Sequence, residues 1–217
     1  HAVDIRVATA VEEMVDRIWS SGPLDGLVNN AAGNFISQTK DLSPRAFDAI
    51  ANIVLHGTFY MTNACGKRWI AEQRKASVLS ILTTWVWTGS PFVVPSAMSK
   101  AGVAVMTQSL AVEWARHGIR LNAIAPGPFP TEGAWSRLMP KERGGQDEMI
   151  KAIPMRRTGE HIELANLAAF DRFDPANHDA SRFVDEDLNR QWSVERMDAP
   201  TSRERQRAAE LRPFVAQ

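Results

Sequence analysis

One cysteine, one tyrosine and no surplus of either charge are the scarcities that first define this chain of 217 residues. Cys65 has no partner within the chain, so no internal disulfide can form and a reducing, intracellular setting is expected. Its position inside an apolar helical pattern gives it a packing role. Lys+Arg and Asp+Glu number 25 each, which excludes both the basic footprint of a nucleic-acid binder and an acidic surface. No apolar run approaches the roughly 18 residues of a membrane span, and no basic-then-apolar leader opens the chain. The expectation is a soluble cytoplasmic protein with neither nucleic acid nor membrane as partner, and no metal site is assigned. The chain also starts at His1 without Met, so residues are expected to have been lost or removed upstream.

What is present alternates in character. Ala2-Val3-Asp4-Ile5 predicts a short strand, and Val11, Met14, Val15 and Ile18 recur at helical spacing up to the break Ser20-Ser21-Gly22-Pro23. Leu24 to Asn30 predicts a second strand that runs into the small-residue turn Ala31-Ala32-Gly33. Ser43-Pro44 is a helix start, with Ser as N-cap and Pro at the first helical position. The apolar pattern Phe47, Ile50, Val54, Phe59 and Met61 carries that helix to about Ile70. A helix so long exceeds what one face of a small domain needs, so part of it is expected to pack on another subunit. Residues 77–82 predict a strand, 97–116 a helix stopped by Gly118, and 119–124 a buried strand ended by Pro126-Gly127-Pro128. This alternation predicts an α/β fold, a parallel sheet with helices on both faces. Ligands of such sheets bind beyond the carboxyl ends of the strands, which singles out the turns NNAAG, TTWVW and APGPFPTEG.

Residues 83–100, TTWVWTGSPFVVPSAMSK, carry the strongest chemical signal, a single lysine at the start of an amphipathic helix. An ammonium in the first turn faces the positive end of the helix macrodipole, so local electrostatics disfavour it there. A residue that breaks a local preference can mark a site. The alternative is a solvated surface lysine.

The motifs NNAAG at 29–33, the Lys100 helix, the Asn122 strand and PGPFPTEG at 126–133 come in an order that resembles the short-chain dehydrogenase/reductase family. Within it the likeness is to bacterial 2,4-dienoyl-CoA reductases, and it covers residues 1–170. The resemblance implies a Rossmann-like doubly wound parallel sheet and an oxidoreductase using NADP, with NAD left open. It implies that Asp4 and Ile5 hold the adenine and that Asn30, Ala31, Ala32 and Gly33 pack beside its ribose. Lys100 would hydrogen-bond the nicotinamide ribose, and Pro126, Gly127, Pro128 and Thr131 would lie near the carboxamide. A tight turn after a strand is the other reading of NNAAG.

Departures from that family sharpen the chemistry. Its usual tyrosine acid, four residues before the lysine, is Ser96 here, and the position from which the dienoyl-CoA reductase branch supplies a tyrosine is Trp85. An indole N–H donates a hydrogen bond but gives up no proton near neutral pH. Reduction of a conjugated thioester suits such a site, because hydride addition produces an enolate that needs donors at its oxygen more than immediate protonation. Thr83, Ser96 and Trp85 are the candidate donors. His56, before Gly57, is a candidate polarising group or proton source, with a surface or interface histidine as its equal alternative. Val54 stands where the family helix has asparagine and cannot serve. Trp85, Trp87, Phe92 and Trp135 would line an acyl pocket, or form a core rim or oligomer contact.

The chain's ends limit the reading. No Gly-rich phosphate loop occurs, so the fold is expected to lack the first βαβ unit as well as the last strand, leaving residues 1–170 as a partial dinucleotide-binding domain. Residues 171–217 hold 18 charged residues in 47, and all eight of their bases are Arg. That composition predicts a partly disordered tail with one weak helix at 201–211. The expected partners are an acyl-CoA substrate and a second copy of the chain, met through helices 43–71 and 97–116. A reductase of another carbonyl or alcohol, and a non-catalytic remnant that keeps only the subunit interface, are the competing readings.

Overall fold

A computed structural model describes residues 1–130, 150–151 and 153–173. Its first element is not the strand that Ala2–Ile5 predicts. Asp4 Oδ1 accepts from the Arg6 backbone N–H at 3.0 Å, and Val7 N–H donates to the Asp4 carbonyl at 3.1 Å. An aspartate that closes a turn on its own backbone offers an alternative to a strand ladder, and two apolar residues before it are too few to oppose that. Helix α1, Ala8–Trp19, follows as expected, burying Val11, Met14 and Val15 on one stripe.

Three parallel strands form the sheet: β1 Gly26–Asn29, β2 Ala76–Ile81 and β3 Ile119–Ile124, in the order β1-β2-β3. Leu27 pairs with Val78 and Val78 with Leu121, so these three side chains share one face. On that face they join Ala64, Cys65, Trp69, Trp114 and the α1 stripe in one buried cluster. Val28, Leu79 and Asn122 are register partners on the other face.

The predicted helix from Ser43 is present, but it is not uniform. Helix α2, Pro44–Ala51, is capped by Ser43, whose Oγ accepts from Ala46 N–H at 3.2 Å. One π-turn, Asn52–His56, then joins it without a break to α3, Gly57–Ala71. Cys65 is fully buried in α3, and burial pushes its thiol up to about 11, in keeping with the packing role expected of it. Trp69, also fully buried, donates from Nε1 to the Leu24 carbonyl at 2.7 Å, which anchors the entry to β1. Its truncation to alanine would cost roughly 3–5 kcal/mol.

After β2 comes a one-turn helix α4, Trp85–Thr88, and then α5, Val94–Trp114. The close approach of α5 to α3 requires Gly66, where a Cβ would come within 2.3 Å of the Trp114 ring. Gly118 has φ +71°, the left-handed conformation that lets the chain stop the helix and enter β3 at once. Helix α6, His161–Phe173, lies against β2. The expected tail structure, including a helix at 201–211, falls outside the described residues, as do Thr131 and Trp135.

Candidate functional site

Because the strands are parallel, the turns after β1, β2 and β3 open on the same edge. Asn29 ends β1 inside the core, donating from Nδ2 to Thr62 Oγ1 at 3.0 Å, and this fixes where the chain leaves the sheet. Asn30, Ala31 and Ala32 emerge exposed immediately beyond it, and Gly33 rests against Ile53 and Ile50 of the long helix. An open depression at this edge is lined by Val3, Asp4, Ile5, Arg6, Ala31 and Ala32, with Ile53 as its helical wall. The structure therefore brings the segment at Asp4-Ile5 together with the NNAAG turn.

Arg6 and Ile53 were not singled out by the sequence. Arg6 grips Asp4 through Nε at 2.8 Å and Nη2 at 2.6 Å, and the guanidinium holds that carboxyl down at about 2. Asp4 is thus an acceptor throughout the physiological range. An aspartate and an arginine two residues apart were the available signal, but spacing alone does not distinguish a turn from a strand.

Lys100 is only 7% exposed. Its Nζ donates to the main-chain carbonyl of Ile81, the last residue of β2. Burial pushes its pKa down from 10.5 to about 8. The helix begins at Val94 rather than 97, so Lys100 lies nearly two turns inside it, not in the first turn. This corrects the macrodipole argument: Pro95 suits the first turn and moves the start upstream, and removal from water is what disfavours the charge. Ser96, one turn before Lys100, is buried, and Ser99 turns its hydroxyl back to the Pro95 carbonyl at 2.7 Å.

Thr83 and Trp85 are half-buried in the turn after β2. Trp87 and Phe92 are exposed at 64% and 37%, and Phe92 sits at φ +69° with its carbonyl accepting from Ser37 N–H at 2.9 Å. This bond ties the loop after β2 to the segment that follows the NNAAG turn. Pro126, Gly127 and Pro128 are half-buried at the end of β3, where Pro128 accepts from Gly159 N–H at 3.0 Å.

His56 is exposed at the end of the π-turn, with Nδ1 at 2.8 Å from Asn52 Oδ1 and its ring 6.2 Å from that of Tyr60. It makes no hydrogen bond to Lys100, Ser96, Thr83 or Trp85 among the described residues. The turn that carries it is nevertheless held at the site from two sides. A Cβ on Gly57 would lie 2.7 Å from Ile5 Cδ1, and one on Gly102 of α5 would lie 2.8 Å from Leu55 Cδ1. Val54 is fully buried, in agreement with its exclusion from chemistry.

Residues 1–171 match the family described as enoyl-(acyl carrier protein) reductase. An uncharacterized oxidoreductase of Caenorhabditis elegans is 57% identical over 147 residues, which are 67% of this chain and 47% of that protein. A probable (3E)-enoyl-CoA-producing 2,4-dienoyl-CoA reductase of the same organism is 50% identical, over 73% of this chain and 51% of its own. The probable (2E)-enoyl-CoA-producing 2,4-dienoyl-CoA reductase of Bacillus subtilis is 39% identical, over 81% and 70%. The chain thus spans about half the length of the nematode relatives. Among solved structures, a short chain dehydrogenase from Bacillus anthracis superposes with a TM-score of 0.71 at 40% identity, covering 80% of this chain and 67% of that one. A gluconate 5-dehydrogenase from Burkholderia cenocepacia, in complex with NADP and tartrate, gives 0.72 at 27% identity, over 78% and 66%.

Proposed function

This chain belongs to the short-chain dehydrogenase/reductase family, and from that premise we propose that it carries the active site of an NADPH-dependent reductase of unsaturated acyl-CoA, a 2,4-dienoyl-CoA foremost. The observation that carries the proposal is the buried Lys100 on the Ile81 carbonyl, with Ser96 one helical turn away, on the sheet edge that also bears the depression at Asp4 and Ala31.

The residues suit the cofactor. Asp4, ionised near neutral pH, would accept from the adenine amino group, Ile5 would pack on the ring, and the small side chains of Asn30-Ala31-Ala32-Gly33 would admit a ribose. One of the Lys100 ammonium protons is engaged by Ile81, and the others would serve the nicotinamide ribose hydroxyls. Pro126, Gly127 and Pro128 would border the carboxamide. When bound, the reduced nicotinamide supplies a hydride to C5 of the dienoyl chain.

The electron pair displaced by that addition moves along the conjugated chain to the thioester oxygen. Ser96, Thr83, Trp85 and His56 donate hydrogen bonds to the resulting enolate. Protonation at C2 leaves a C3–C4 double bond, and protonation at C4 leaves a C2–C3 double bond. The nematode relative's name favours the first outcome, a (3E)-enoyl-CoA. Tyr60, with its ring against His56 and Phe59 on the helix, is not used as the acid.

Exposed Phe59 on α3 and Val105 and Val112 on α5 support pairing of two copies through these helices. No helix among the described residues is long and apolar enough to cross a membrane, and the lone buried thiol suits a reducing cytoplasm.

The test is calorimetric titration with NADPH followed by assay of 2,4-hexadienoyl-CoA. Binding and turnover, both severely reduced in Lys100→Ala, are expected. An absence of NADPH binding would leave only a non-catalytic scaffold, and turnover of a simple ketone in place of the dienoyl thioester would redirect the substrate class.

A further inference from the structure

We infer that Asn52 is a positioning residue that keeps a proton on Nδ1 of His56, so that Nε2 faces the acyl site as a donor only when the ring is an imidazolium. The inference deepens the reaction proposed above and rests on the place of His56 in it.

The pair stands at i,i+4 spacing, where helix side chains are neighbours. Asn52 and His56 open and close the π-turn, and their side chains meet at 2.8 Å between Oδ1 and Nδ1. An amide oxygen has no proton to give, so this bond exists only with the hydrogen on Nδ1. The neutral ring then presents an unprotonated Nε2, a hydrogen-bond acceptor that would repel an enolate oxygen rather than hold it. With a second proton the same nitrogen becomes a charge-assisted donor, stronger than a neutral one. When Nε2 gives that proton to the enolate, one C–H bond forms, one N–H bond breaks and the ring returns to neutrality. The Nδ1 proton stays on the ring, donated to Asn52 Oδ1 throughout, so no reorientation accompanies the transfer. Because the turn is gripped between Ile5 and Gly102, the ring carrier is held in place while this happens. The Tyr60 ring, 6.2 Å away, backs the imidazole on its own helix.

The experiment reads the tautomer directly, without cofactor or substrate. In the chain labelled with 15N, two-bond couplings from Hε1 and Hδ2 assign the two imidazole nitrogens of His56 at a pH where the ring is neutral, and His56→Gln identifies its signals. The expected result is a protonated Nδ1 and a pyridine-like Nε2, opposite to the preference of a free imidazole side chain. Asn52→Asp, which keeps an acceptor oxygen, is expected to preserve this pattern, and Asn52→Leu to reverse it. In turnover assays, Asn52→Leu should lower kcat on the order of tenfold or more with KM for NADPH unchanged, while Asn52→Asp retains most of it. A protonated Nε2 in the unsubstituted chain overturns the inference, because it means that the amide nitrogen faces the ring. The expected tautomer in a chain that does not turn over dienoyl-CoA would support the Asn52–His56 arrangement while sinking the proposed reaction.

Discussion

Lys100 Nζ donates to the main-chain carbonyl of Ile81, so the ammonium of α5 hangs from the last residue of β2 at the sheet edge. A single carbonyl does not replace the water that burial removes, and the pKa falls from 10.5 to about 8 as a consequence.

That depression has a stability signature with a definite sign. Between pH 8 and 10.5 the unfolded chain binds a proton at this lysine that the folded chain has released, so stability rises with pH across this window. The full difference corresponds to roughly 3 kcal/mol. Urea denaturation at pH 7.5 and pH 10 should show Lys100→Met relatively more stable at the lower pH, with its advantage shrinking at the higher. Parallel pH profiles of the two proteins would refute the role of burial. Cofactor affinity should fall in the variant at every pH.

Gly57 packs against Ile5, which lines the open depression at the sheet edge. A methyl at 57 would meet Ile5 Cδ1 at 2.7 Å, so Gly57→Ala must displace the Ile5 side chain from its place in the depression. Affinity for adenine nucleotides is expected to drop about tenfold, with global stability changed by less than about 1 kcal/mol, since alanine also favours the helix. On the Gly57→Ala background, Ile5→Ala should cost less binding than it does alone, a coupling expected of residues in contact. Calorimetry with AMP across the four proteins decides it, and additive losses would contradict the contact.

Val105 and Val112, 61% and 81% exposed, stand seven residues apart on α5 and so share a face of the helix. If two copies meet there, Val105→Glu with Val112→Glu should reduce the mass measured by light scattering to that of one chain. The melting temperature of the separated chain reports whether the fold survives. An unchanged mass, or a single-chain mass before substitution, removes this interface.

Much of the architecture was legible because local chemistry and tertiary need agree. Ser43-Pro44 caps and starts a helix in any context, Gly118 alone tolerates φ +71° between α5 and β3, and the apolar runs at 77–82 and 119–124 have no option but burial. The motif residues at Asp4-Ile5 and Ala31-Ala32 were legible as a group, and they do line one depression. Less legible was anything set by side-chain conformation or by a neighbour distant in sequence. The Ala2–Ile5 strand failed because Asp4 turns back on Arg6. Lys100 was placed one turn too near the helix start, since Val93 and Val94 are equally at home in a loop or a helix. The π-turn, NIVLH, holds neither proline nor glycine to mark it in the sequence.

From composition and spacing alone came the parallel α/β layout, the shared edge of its three turns and the lysine at its centre, all consequences of periodicity and of where polar residues can be buried. Only the tertiary structure decided that Lys100 is desolvated against Ile81, that Arg6 keeps Asp4 ionised and that the helix opens at Asn52–His56. Lys100 meets a carbonyl distant in sequence, and Leu55 against Gly102 and Ile5 against Gly57 hold the turn from outside it, contacts that no run of adjacent residues specifies. Arg6 on Asp4 is a local pair, but its spacing does not fix the conformation in which the two meet.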